Sequence, residues 1–120
     1  MASATGLKPE VGTAAYGSSK AAVIHLAKIA AKEQAARGVR VNAVCPGGVQ
    51  TPIWDAVPAF SQMADAMGRE RAFDKMAGYG TPMRRFAAAE EIAATIAWLL
   101  GEESRYMTGA AVVSDGGYSL

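Results

Sequence analysis

The 120-residue chain is 51% hydrophobic and 19% charged, too apolar for a disordered polymer and too mixed for a membrane-embedded one. Its 12 Lys+Arg against 11 Asp+Glu leave a net charge of +1, so no bulk field points to nucleic acid, an anionic membrane or an acidic partner. A single cysteine, Cys45, and a single histidine, His25, exclude an internal disulfide framework, a paired-cysteine metal clip and a histidine-rich metal site.

The opening residues, from Met1 to Gly6, lack the basic-then-apolar order of a signal peptide. The longest apolar run, residues 92–100, falls far short of the ~20 needed to span a bilayer. Both features predict a soluble, cytoplasmic protein. Residues 16–37 read as a long helix, dense in alanine, free of interior proline and stopped at Gly38. Apolar positions run nearly all round it (Val23, Ile24, Leu26, Ile29), which predicts packing on more than one side. Residues 39–45 form a β-branched run closed by Pro46, Gly47 and Gly48, a buried strand meeting a sharp turn.

Residues 51–80 are less regular, with Trp54, Phe60, Met63, Met67, Phe73 and Met76 interrupted by Pro52, Pro58 and Gly68. They predict one or two short helices in a mobile excursion with an adaptable apolar lining, or else apolar side chains packing the excursion onto the body. A second firm helix covers residues 88–100, with Glu90 and Glu91 in its first turn and Gly101 as its stop. Residues 110–114 read as a strand ending at Asp115, Gly116 and Gly117. Helix, strand, excursion, helix, strand is the rhythm of a parallel α/β sheet with crossovers. Two strands make a poor parallel sheet, so the chain reads as one partial domain over residues 1–120.

Tyr16 and Lys20 stand four apart at the start of the first helix, one turn apart on one face. A phenol ordinarily titrates near ~10 and a neighbouring ammonium favours its ionised form, which suits acid/base work. Such a pair arises by chance in about one chain of this kind in six, so alone it decides little. It is joined by Ser3, 13 residues before Tyr16, by Asn42 with Pro46 and Gly47, by Thr51 four after Gly47, and by the closing Asp115, Gly116 and Gly117.

These landmarks, in order and at matching spacing, resemble the C-terminal half of the short-chain dehydrogenase/reductase family over the whole chain. The resemblance implies an α/β fold: the last two strands, with flanking helices, of a Rossmann-type doubly wound parallel sheet, the N-terminal dinucleotide half being absent from these residues. It implies an NAD(P)-dependent oxidoreductase interconverting a secondary alcohol and a ketone. Tyr16 is then the proton donor and acceptor. Lys20 holds the nicotinamide ribose and eases ionisation of the phenol. Ser3 fixes the substrate oxygen, Pro46 and Gly47 turn the strand end beneath the nicotinamide, and Val49 (through its backbone) and Thr51 bind the carboxamide or the neighbouring phosphate.

Blander readings stand beside these: Ser3 as an ordinary serine, Gly47 and Gly48 as a tight turn, His25 and Cys45 as structural residues, and Asp115 as fold architecture. The family's glycine-rich phosphate turn has no counterpart here, nor has the segment that distinguishes NAD from NADP. The chain is therefore expected to be a catalytic-half fragment beginning at an internal Met, aggregation-prone on its own because apolar strand edges lie bare. Its expected partners are a small apolar alcohol or ketone, cyclic and steroid-like frames included, and further copies of itself in a dimer or tetramer; neither nucleic acid nor membrane is expected. The rival reading is a non-catalytic dimerisation or interaction module. Arg84 and Ala89 depart from the family's usual Gly and Pro at these places.

Overall fold

The computed structural model describes residues 1–120. In chain order it contains α1 (Ala14–Gln34), β1 (Ala43–Pro46), α2 (Pro58–Met67), α3 (Arg69–Gly80), α4 (Ala89–Leu100) and β2 (Ala111–Ser114). Short 3-10 turns occupy Ala4–Gly6, Ala35–Arg37, Pro52–Ala56 and Glu102–Ser104. β1 and β2 pair in parallel, Ala43 opposite Ala111 and Pro46 opposite Ser114. No helix is long and apolar enough to cross a membrane.

The two strands carry helices on both faces, because successive side chains of a strand point to opposite sides. Ala43 and Cys45 pack with Ile24 and Ala27 of α1, whereas Val44 packs with Ile92 and Leu99 of α4. The peptide groups alternate in the same way. Ala43 and Gly47 donate their N–H groups toward β2, to Ala110 and Ser114, while the Val44 carbonyl turns to the other edge and accepts the Ala2 N–H at 2.8 Å. Residue 2 thus runs beside β1 on the edge opposite β2.

The long helix begins two residues earlier than the sequence predicts and loosens into a 3-10 turn before Gly38, whose φ of 76° gives the left-handed stop. Only one of its sides is covered. Ile24, Ala27 and Ala31 are buried, while Leu26 and Ile29 remain exposed, so the second packing face expected from its all-round apolarity is bare within this chain. The predicted strand over residues 39–45 is also corrected, to Ala43–Pro46. Its first half is diverted by side chains. The Arg40 guanidinium donates to the Leu99, Gly101, Ser104 and Met107 carbonyls, and Asn42 bonds the Met107 carbonyl and the Ala110 N–H. These bonds tie the crossover between α4 and β2 to the segment before β1.

The excursion is a structured unit. Phe60, Phe73 and Phe86 are buried together, with Trp54 and Met63 against them; the Phe60 and Phe73 ring centres are 4.5 Å apart and those of Trp54 and Phe86 5.0 Å. Outside this cluster Arg69 pairs with Asp55 and donates to the Thr51 carbonyl at 3.0 Å. Three separate clusters, of five, five and three buried residues, make up the apolar interior, so no single core runs through the chain.

Candidate active site

A cleft of about 810 Å³ opens at the carboxyl end of β1, lined by Ser3, Thr5, Glu10, Tyr16, the turn from Pro46 to Val49, Thr51, Trp54, Val57, Met76, Tyr118 and one face of α4. Ligands of open parallel sheets sit beyond the carboxyl ends of the strands. Six of the seven residues singled out in the sequence line this cleft: Ser3, Tyr16, Pro46, Gly47, Val49 and Thr51. Lys20, the seventh, stands behind Tyr16 with its Nζ 5.3 Å from the centre of the Tyr16 ring. That contact follows from their spacing of one helical turn.

Ser3 is buried and caps the first 3-10 turn. Its Oγ accepts the Thr5 N–H at 3.2 Å and donates to Thr5 Oγ1 at 3.3 Å. The second bond is long for two hydroxyls, so the Ser3 O–H can turn to a better acceptor at little cost. Tyr16 lies in the first turn of α1 and is 47% exposed, its ring open to the cleft. Ser3 Oγ makes its hydrogen bonds to Thr5 rather than to Tyr16, so the two hydroxyls share the cleft without bonding to each other.

The Pro46–Gly47–Gly48 turn is shaped by close approach. A Cβ on Gly47 would lie 2.8 Å from the Asp115 Cα, and one on Gly48 would lie 2.3 Å from the Phe86 ring. Neither glycine can be replaced without moving its neighbour, so both the tight turn and the proximity to a ligand face arise from the same two residues. The next residue, Val49, gives its carbonyl to the Trp54 indole N–H at 2.8 Å. Thr51, whose carbonyl accepts from Arg69, also lines the cleft. Donors and a flat, glycine-floored turn beside an apolar helix face fit the nicotinamide end of a dinucleotide; no phosphate-binding turn accompanies them in these residues.

Phe60, expected in the apolar lining, is instead fully buried in the aromatic cluster, while Trp54 and Met76 both line the cleft and touch that cluster. Cys45 is buried, and burial pushes its thiol up, away from thiolate chemistry. Asp115 is architectural in its contacts. Burial alone would raise it, but N–H groups of Ser119 and Gly117 bonded to its carboxylate hold it below its ordinary value. Among the lining residues that escaped the sequence reading are Glu10 and Tyr118, joined by a 2.9 Å hydrogen bond from the phenol to the carboxylate.

A family profile described as enoyl-(acyl carrier protein) reductase matches residues 1–119. Among curated proteins, the chain is 40% identical over 121 residues to "Oxidoreductase UcpA" of Escherichia coli K12, covering all of this chain and 44% of that protein. The chain belongs to the short-chain dehydrogenase/reductase family. Two solved structures show a similar architecture over nearly the whole chain. One is 4-hydroxyisoleucine dehydrogenase complexed with NADH (TM-score 0.81, 30% identity, 98% of this chain and 44% of that one). The other is L-sorbose reductase from Gluconobacter frateurii complexed with NADPH and L-sorbose (TM-score 0.86, 29% identity, 98% and 44%). The chain thus spans less than half the length of these short-chain dehydrogenase/reductase relatives, and what it holds is the C-terminal portion of their Rossmann-type sheet.

Proposed function

We propose that this chain supplies the catalytic and substrate-binding half of a nicotinamide-dependent oxidoreductase that interconverts a secondary alcohol and a ketone. The observation that carries the reading is the convergence on one cleft of the Ser3 hydroxyl, the Tyr16 phenol and the glycine turn after β1. A bound nicotinamide supplies or accepts the hydride. Tyr16 exchanges a proton with the substrate oxygen through its Oη. Ser3 releases its long bond to Thr5 and donates to the same oxygen, fixing its position and stabilising charge that develops there. Lys20, its Nζ 5.3 Å from the centre of the Tyr16 ring, offers donors to ribose hydroxyls.

Pro46 and Gly47 set the floor under the nicotinamide. The Val49 carbonyl being held by Trp54, its N–H is the group that meets the carboxamide, with the Thr51 hydroxyl next to it. NAD and NADP are both candidates, since the similar structures carry NADH in one case and NADPH in the other. Trp54, Val57 and Met76 give the substrate an apolar wall, which suits a ketone or alcohol with an apolar body, cyclic and steroid-like frames included. The bare side of α1, with Leu26 and Ile29 exposed, supports a homo-oligomer, either dimer or tetramer, as the working assembly.

The test joins this chain to the remaining part of the Escherichia coli relative and follows nicotinamide absorbance with cyclohexanone and NADH or NADPH. Tyr16→Phe is expected to lower kcat by about a hundredfold or more with the circular dichroism spectrum unchanged. Activity retained in that variant would remove Tyr16 from the chemistry.

A further inference from the structure

Of all side chains lining the cleft, Glu10 is the only charged one. It is not ion-paired: the two salt bridges of the chain are Arg69–Asp55 and Arg85–Glu91. The nearest cation of its own loop, Lys8, is committed elsewhere, donating to the Tyr118 carbonyl at 2.7 Å with its Nζ 4.7 Å above the Tyr118 ring. Tyr118 in turn donates its phenol to Glu10 Oε2, which leaves Oε1 free to accept a further proton donor. The carboxylate is also held from the far end of the chain. The Tyr118 turn is fixed by Asp115, which accepts N–H groups from Gly117 at 2.8 Å and Ser119 at 2.8 Å.

The same cleft is lined by the apolar side chains of Trp54, Val57 and Met76. A ligand bound there therefore meets one negatively charged side chain among apolar ones. A substrate carboxylate placed against Glu10 is repelled, whereas a hydroxyl or ammonium gains a charge-assisted bond, and because Glu10 is exposed both effects are modest and salt-dependent. We infer that Glu10, positioned by Tyr118, is a specificity-determining residue that selects neutral or cationic substrates bearing a hydroxyl or amine away from the reacting carbon, and rejects carboxylates. The inference rests on the oxidoreductase reading above, because it assigns the far end of the substrate whose carbonyl meets Tyr16.

The experiment compares three ketones in the joined holoenzyme: 4-hydroxycyclohexanone, cyclohexanone and 4-oxocyclohexanecarboxylate. In the unmodified protein at low salt kcat/KM is expected to rise about threefold from cyclohexanone to the hydroxyl compound and to fall about threefold to the carboxylate, the size of an interaction with one exposed charge. Glu10→Gln, which keeps the shape and removes the charge, is expected to abolish most of the carboxylate penalty, mainly through KM. Turnover of all three ketones at similar kcat/KM overturns the role of Glu10 and leaves the oxidoreductase reading standing, as does a Glu10→Gln variant that keeps the original ratios. Absence of turnover with every ketone and both cofactors overturns both. Should the variant not fold, the ranking in the unmodified protein decides by itself: a carboxylate accepted as well as cyclohexanone refutes the inference.

Discussion

The half built on the two strands and the half formed by α2 and α3 reach order by different physics. Around β1 and β2 the side chains are small and the groups that matter are backbone. Ala43, Val44 and Cys45 divide themselves between α1 and α4, while Arg40 and Asn42 bond carbonyls and an N–H of the crossover. In the excursion four aromatic rings from four different segments collect in one place: Trp54 from a 3-10 turn, Phe60 from α2, Phe73 from α3 and Phe86 from the loop before α4. In the proposed reaction the first half would carry the reacting groups on a framework set by geometry. The second would shape the substrate wall by apolar mass.

Removing Phe60 tests that division most severely. Phe60 is fully buried, and truncating such a side chain costs about 3–5 kcal/mol. Phe60→Ala is expected to open α2 and α3 to hydrogen exchange while α1 and the strand pair keep their protection. Equal loss in both halves would show them to be one cooperative unit.

A smaller effect of opposite sign is expected at Arg84, which holds a φ of 54° in the loop between the two halves. A left-handed backbone costs a side-chain-bearing residue about 1 kcal/mol relative to glycine. Arg84→Gly is therefore expected to raise the melting temperature by a few degrees, read by thermal denaturation. A fall would mean that the Arg84 side chain contributes more than its backbone costs.

The weakest effect belongs to the clamp at the start of α4. The Arg85 guanidinium bonds both Glu91 oxygens at 2.6 and 2.7 Å, and the Ala88 N–H donates to the same carboxylate. Together they hold Glu91 at about 2, against an ordinary 4.5. A carboxyl depressed on folding stabilises the native state above its unfolded value and loses that contribution as the pH falls through the folded one. The melting-temperature gap between the unmodified protein and Glu91→Gln is expected to be constant from pH 7 to 5 and to close between about 4.5 and 2. Both groups are solvent-exposed, so the gap is small and shrinks with salt.

What the sequence made legible was local or strongly patterned. Tyr16 and Lys20 are neighbours because one turn of helix separates them, and Pro46 with two glycines marks the end of a strand whose residues alternate between α1 and α4. The second helix lies within one residue of where composition and end signals put it, and the long one starts two residues early and gives way to a 3-10 turn over its last three expected residues. The excursion's compactness was hidden because its rings share no period, coming from segments that are neighbours only after folding. Glu10 and Tyr118 were hidden for the same reason, 108 positions apart. Arg40 gave no sign of its bonds because a guanidinium that recognises main-chain carbonyls leaves no pattern in the residues it binds.

The contact between Gly48 and Phe86 couples the two halves at one point. A ring from the aromatic cluster occupies the space where any other residue at position 48 would carry its first carbon, and the chain runs directly on from there to Val49 and Thr51. On the proposed function, redesigning the excursion to accept a bulkier alcohol would therefore tug on the strip assigned to the redox partner. Selectivity for substrate and placement of the nicotinamide would then be traits to alter together, and libraries that vary residues 48–51 and 86 jointly are expected to find solutions that single replacements miss.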